Sequence, residues 1–343
     1  MPYTVRSSER TQHTASVTET KALLYLMNFQ EDSDQIYYFV VDFFNDVTGM
    51  DKQARNLWDT QSKGSTGTTP SAIGKELVTL FKNFCSDIEF KKYILFVGGV
   101  SETINAEINS NVFTLTDLND DLTGRIKAGL IDEARNKEYI NNNDITDEKI
   151  NAFLDEVIIA IDDKSPAEYV RSIVRINPRL TADDTILSAI FNEIRDKQSG
   201  KKNINVVENI TIETCDEALN YCRHLTSMDI RLITLGRLIN RDPFSKGVPV
   251  PFIDIYNTFP PEKRSDMIED CKLSMCRALF NKGNADNFWR LFNNIYQVII
   301  DNPGFDVVRI YRNLDTEIVE LCFDFDVIAL KYFIAIVKEG LTI

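Results

Sequence analysis

The run Ile36–Phe44 does most to fix what this chain can become. It reads Ile-Tyr-Tyr-Phe-Val-Val-Asp-Phe-Phe, β-branched and aromatic apart from Asp42. A stretch of that length with no polar alternation suits a central strand covered on both faces. Such a strand needs helices around it, and the flanking sequence offers them. Ala22, Leu23, Leu24, Leu26, Met27 and Phe29 predict a helix over Val17–Phe29. Pro70 opens another, Ser71–Phe84, with Ile73, Leu77, Leu80, Phe81 and Phe84 at the 3.6-residue period. Asn45-Asp46 and a Gly49 turn lead into a second extended stretch, Arg55–Lys63, and Tyr93–Val97 is a short apolar strand stopped by Gly98-Gly99. The order helix, strand, strand, helix, strand predicts a mixed α/β domain.

Helical patterning dominates the rest. Thr146, followed by Asp147 and Glu148, caps a helix with apolar positions Ile150, Phe153, Leu154, Val157, Ile158 and Ile161. Thr181–Gln198 follows, with Asp184 at the capping-box distance and Gly200 as its stop. The basic, polar stretch Lys197–Asn203 is the expected boundary between a first domain, 1–204, and a second, 205–343, with Val206–Ile212 as one more strand. The second domain reads as mostly α-helical, over Asp216–Leu225, Met228–Leu238, Pro261–Phe280, Asn287–Asp301 and Phe325–Lys338. Two domains suit a chain of 343 residues.

Charge limits the partners. The net charge is −14, which opposes general electrostatic coating of nucleic acid. Residues 1–100, however, carry 10 Lys+Arg against 12 Asp+Glu, so nearly all the excess lies beyond them. A polyanion contact is expected in the first third. No apolar run reaches the roughly 18 residues of a membrane span, and Met1–Ser16 lacks the apolar core of a secretory signal. The expectation is a cytoplasmic protein with no membrane contact. The six cysteines are scattered, without the density of a disulfide framework. A zinc site from Cys215, Cys222 and His224 is disfavoured, since there are two histidines in all and no CxxC. The segment Gly67–Lys75 has the wrong spacing for a phosphate loop, and Glu76 stands where Ser or Thr is needed.

One constellation carries chemistry. Cutting a phosphodiester takes a divalent metal on hard oxygen ligands and a cation to offset developing charge. Asp46 follows the apolar strand, and Trp58-Asp59-Thr60-Gln61-Ser62-Lys63 lies on the next. In an extended strand Asp59, Gln61 and Lys63 share one face. Three polar side chains there are poor core design and reasonable site design. Taken alone, they also read as the solvated face of an edge strand.

The order YYFVVDFFND (Tyr37–Asp46), then WDTQSK, then a helix and YILFVGG resembles the nuclease domain of double-stranded DNA endonuclease effectors in bacterial anti-phage systems. These include effectors of cyclic-oligonucleotide (CBASS) immunity and the nuclease subunit of Lamassu. The likeness covers roughly residues 15–200 and leaves the last 140 or so aside. It implies a restriction-endonuclease-like core sheet flanked by helices, with Mg2+ or Mn2+ as cofactor. Asp46 is then the main metal ligand, Gln61 holds the second ligand position and Lys63 is the catalytic lysine. Asp42 matches a position often acidic in such sequences, and Glu19 is an accessory carboxylate. Because Gln61 brings no charge, either Asp59 or Glu19 is left to supply a second carboxylate.

Arg6, Arg10, Lys52 and Arg55 are candidate phosphate contacts, or else ordinary surface charges. The resemblance also implies partners: an SMC-like ATPase, a small third subunit, and a homo-oligomer when active. The helical domain, with Phe288, Trp289 and Phe292, would dock them, unless those aromatics form a helix core. A nuclease-fold adaptor without catalysis and an RNA or nucleotide phosphohydrolase are the competing classes.

Overall fold

The computed structural model describes residues 3–5, 13–174, 184–202, 204–244, 247–281 and 285–341. The chain falls into two compact units, Met1–Tyr169 with Asn192–Ser227, and Val170–Phe191 with Met228–Ile343. This division differs from a single cut at residue 204, because each unit takes two stretches of chain.

The first unit is mixed α/β. Its strands are β1 (Tyr3–Thr4), β2 (Tyr38–Val41), β3 (Val47–Met50), β4 (Leu57–Lys63), β5 (Lys92–Val97), β6 (Val112–Thr114), β7 (Val157–Ile161), β8 (Thr211–Ile212) and β9 (His224–Thr226). Seven form one sheet in the order β6-β7-β5-β4-β3-β2-β9, and β1 pairs with β8 apart from it. The pairs β4/β5 and β5/β7 are parallel, the other ladders antiparallel. Helices α1 (His13–Asn28), α2 (Pro70–Glu76), α3 (Val78–Phe84), α4 (Glu102–Asn105), α5 (Asp120–Arg135) and α6 (Asp147–Glu156) belong here. Tyr25 of α1 packs on Phe96 of β5, on the Ser62 side of the sheet; Phe84 of α3 packs on Tyr93, on the Asp59 side. The sheet is therefore covered on both faces.

Helices α7 (Pro166–Val174) and α8 (Asp184–Lys202) each contribute residues to both units. The second unit is otherwise helical, with most of α9 (Ser227–Leu238) and all of α10 (Ile253–Asn257), α11 (Arg264–Phe280), α12 (Ala285–Asp301), α13 (Val307–Arg312), α14 (Thr316–Leu321) and α15 (Val327–Leu341). Phe288, Trp289 and Phe292 are buried in its core and present no exposed aromatic cluster.

Several expected elements change. The strand expected over Ile36–Phe44 stops at Val41, because Asp42 adopts a left-handed backbone, φ +54°, that ends the ladder. Gly49 is no turn but lies inside β3, where its missing Cβ leaves room for the Ile36 side chain. The helix Ser71–Phe84 is broken at Leu77 into α2 and α3. The helix led by Thr146 ends at Glu156, and Val157–Ile161 is a mostly buried strand, parallel to β5 and antiparallel to β6. Gly200 sits within α8, which runs on to Lys202. Asp216–Leu225 is a 3-10 turn over Cys215–Tyr221 followed by β9, and the strand in Val206–Ile212 shrinks to Thr211–Ile212.

Candidate active site

Strand β4 is polar at its centre and still buried: Asp59, Thr60, Gln61 and Ser62 are all below the surface. Asp59, Gln61 and Lys63 face α2 and α3, whereas Trp58, Thr60 and Ser62 face α1. Thr79 of α3 donates to Gln61 Oε1 at 2.9 Å, and Lys63 Nζ lies 3.4 Å from Glu76 Oε2 of α2.

Asp46 reaches this strand from the loop between β2 and β3. Val47 pairs with Thr60, which sets Asp46 beside Gln61 and Ser62. Its Oδ2 accepts from Gln61 Nε2 at 3.1 Å, Ser62 N at 2.8 Å and Ser62 Oγ at 2.9 Å. Burial raises the Asp46 carboxyl above its ordinary range, opposed by the Ser62 bonds and by the positive charges of Lys63 and Lys202. The loop itself is closed by Asp42 N donating to Asp46 O at 3.1 Å. Arg223, just before β9, donates to the Asp42 carbonyl at 3.0 Å, and its guanidinium lies 3.7 Å from the Asp42 carboxylate. Asp42 therefore shapes the loop that presents Asp46.

On the α1 side, Glu19 forms a buried ion pair with Lys202 of α8 at 2.6 Å. Burial is the main reason the Glu19 carboxyl rises to about 7; Lys202 opposes the rise, and the charges of Asp46 and Asp42 add to it. The two helices are joined as well by Thr20 Oγ1 donating to Gln198 Oε1 at 2.8 Å.

Asp46 and Gln61 thus meet through a hydrogen bond, Lys63 lies within electrostatic range of Asp46, and Glu19 lies within electrostatic range of Asp46 and Asp42. Asp59 is used differently. It is fully buried, with Oδ1 accepting from Thr48 at 3.0 Å and Oδ2 from Asn83 at 2.6 Å and Asn45 at 3.3 Å. It shares no hydrogen-bond partner with Asp46, and with its oxygens taken up inside the core it has no geometry for a metal ligand.

Lys52 and Arg55 lie in the turn between β3 and β4, at the opposite end of β4 from Lys63. Six residues of strand put them roughly 20 Å away, so they make no clamp for a phosphate at Asp46. Lys52 instead lies over the Tyr37 ring. Arg6 and Arg10 fall outside the described residues. Lys202, Ser62, Thr79 and Arg223 are site residues that sequence reasoning missed. The only signal for Lys202 was the basic run Lys197–Asn203, read there as a domain boundary.

Among the described residues no group of three or more His, Cys, Asp or Glu side chains stands ready to hold a metal ion. The donor chemistry fits Mg2+ or Mn2+ on one condition. Asp46 Oδ1 accepts from none of the described residues, and Gln61 can add Oε1 if its amide turns over. Thr79 Oγ1, a hydroxyl, would then accept from Nε2 instead of donating. Remaining positions would fall to water and to the phosphate of a substrate.

No family model matches this chain, and no curated protein and no solved structure matches it either.

Proposed function

We propose that the protein is a metal-dependent endonuclease of double-stranded DNA. The observation that carries the reading is the meeting of Asp46 with Gln61 and Ser62 one residue before Lys63, on a strand whose polar residues are buried. A divalent ion on Asp46 and Gln61 would polarise the phosphate and make a bound water more acidic. The protein's own share is positional. Ser62 fixes Asp46 through its amide and hydroxyl, Thr79 holds the Gln61 amide, and Glu76 steadies the Lys63 ammonium beside the place where negative charge would build. The order of these residues further supports an effector of bacterial anti-phage defence of the Lamassu kind. In that setting an SMC-like ATPase and a small third subunit hold the nuclease, and a homo-oligomer is the active form. No helix among the described residues is long and apolar enough to cross a membrane.

The neutral Gln61 and the absence of a ready carboxylate cluster among the described residues favour, as a second reading, a weak or inactive nuclease fold that binds DNA or protein. Digestion of linear and circular duplex DNA with Mg2+, alone and with the products of neighbouring genes, separates the two. Wild type should cleave, and Lys63→Ala and Asp46→Asn should each lose at least about a hundredfold. Binding without cleavage under every condition would leave the adaptor, and equal cleavage by Lys63→Ala would remove the assignment.

A further inference from the structure

Residues 313–330 contain five acids, Asp315, Glu317, Glu320, Asp324 and Asp326, and no lysine or arginine. Three of the acids have local work. Asp315 accepts from Glu317 N and so caps α14, Asp326 accepts from Ile328 N and Ala329 N and caps α15, and Asp324 accepts from Asn281. The Glu317 and Glu320 side chains are exposed and pair with no described residue. Among these acids stand three exposed apolar side chains, Leu321 at 48%, Phe323 at 72% and Val327 at 48%. Exposed apolar residues scattered singly are ordinary, but three within seven positions are not.

The backbone that carries them is fixed. Cys322 is buried, and its Sγ donates to the Asn287 carbonyl at 3.2 Å; Asn287 Nδ2 donates back to the Leu321 carbonyl at 3.3 Å. Phe325 stacks on Phe333 with ring centroids 5.5 Å apart and on Phe288 at 6.5 Å. Phe323 is thus held outward between two anchored neighbours, so a partner would pay little ordering entropy on this side.

We propose that the segment 317–327, which exposes Leu321, Phe323 and Val327 within ten positions of the exposed Glu317 and Glu320, docks a basic segment of another protein with an apolar face. Charge complementarity selects that occupant. A second copy of this chain docked through the same surface would bring the same acids against one another, and an anionic membrane would be repelled.

The test is fluorescence anisotropy on the full chain with three labelled synthetic peptides of equal length. One is a Lys/Leu amphipathic helix, one has its leucines replaced by serine, and one has its lysines replaced by glutamine. The Lys/Leu peptide should bind saturably and best. Phe323→Ser should weaken it at least about tenfold, and Glu317→Gln with Glu320→Gln should weaken it and flatten its dependence on salt. Unchanged melting temperatures check that these surface variants fold. Absence of saturable binding, binding unchanged by Phe323→Ser, or equal binding of either control peptide overturns the proposal. So does sedimentation showing a dimer that Phe323→Ser dissolves, since the surface would then belong to a second copy.

Discussion

Asp59 receives hydrogen bonds from Thr48, Asn83 and Asn45, yet burial still outweighs them and raises its carboxyl to about 6. The neutral acid fits this nest, because its added proton can go to Thr48 Oγ1, and a hydroxyl accepts as well as donates. A carboxyl whose folded value lies above its unfolded one stabilises the protein most below about pH 4, and that contribution is lost as pH rises through about 6. Asp59→Asn reproduces the neutral pattern. The stability of wild type relative to Asp59→Asn, from urea titrations, should therefore fall by up to about 3 kcal/mol between pH 4 and pH 7. A difference that stays flat or rises would show that burial does not raise the carboxyl above its unfolded value, and would overturn this prediction.

Glu76 stands opposite Lys63 on α2, which is pressed against α5. A Cβ on Gly74 would run into the Ile126 carbonyl, and one on Gly129 into the Ser71 carbonyl. Gly129→Ala favours an isolated helix by roughly 1 kcal/mol but here must push the two helices apart. The expected result is a net loss of about 1–3 kcal/mol, read from the urea midpoint, and a gain in stability would show that the crossing is loose. Neither glycine is marked out in the sequence, since what each meets comes from the other helix. Thr146 was legible, for a cap is a local device and its Oγ1 does accept from Lys149 N. Val157–Ile161 was not, because its apolar positions continue the period of α6 and parallel pairing with β5 leaves no local trace. The candidate site divides the same way. Gln61 and Lys63 were readable from the two-residue period of β4, whereas Lys202 and Arg223 arrive from distant segments read as a boundary and a helix. Phe288, Trp289 and Phe292 had two readings, and only packing decided for the core.

The first unit is built from two separate stretches of chain, and β9 in the second of them closes the sheet beside β2. A protein truncated after residue 204 keeps Asp46, Gln61, Lys63, Glu19 and Lys202 but loses β8, β9 and Arg223. With β2 left as a bare apolar edge it should aggregate, and light scattering would show this; a monodisperse, cooperatively melting 1–204 would mean that β9 is dispensable. Because β9 comes last, the order of synthesis matters too. On the ribosome β2 emerges about 185 residues before its partner, a wait of roughly ten to forty seconds at ordinary elongation rates. For most of that interval neither Lys202, the partner of Glu19, nor Arg223, which holds Asp42, has been made, so the nascent chain carries Asp46, Gln61 and Lys63 without these two cations. Under the proposed function, a growing polypeptide of this kind stays without its full site until most of the chain has been made.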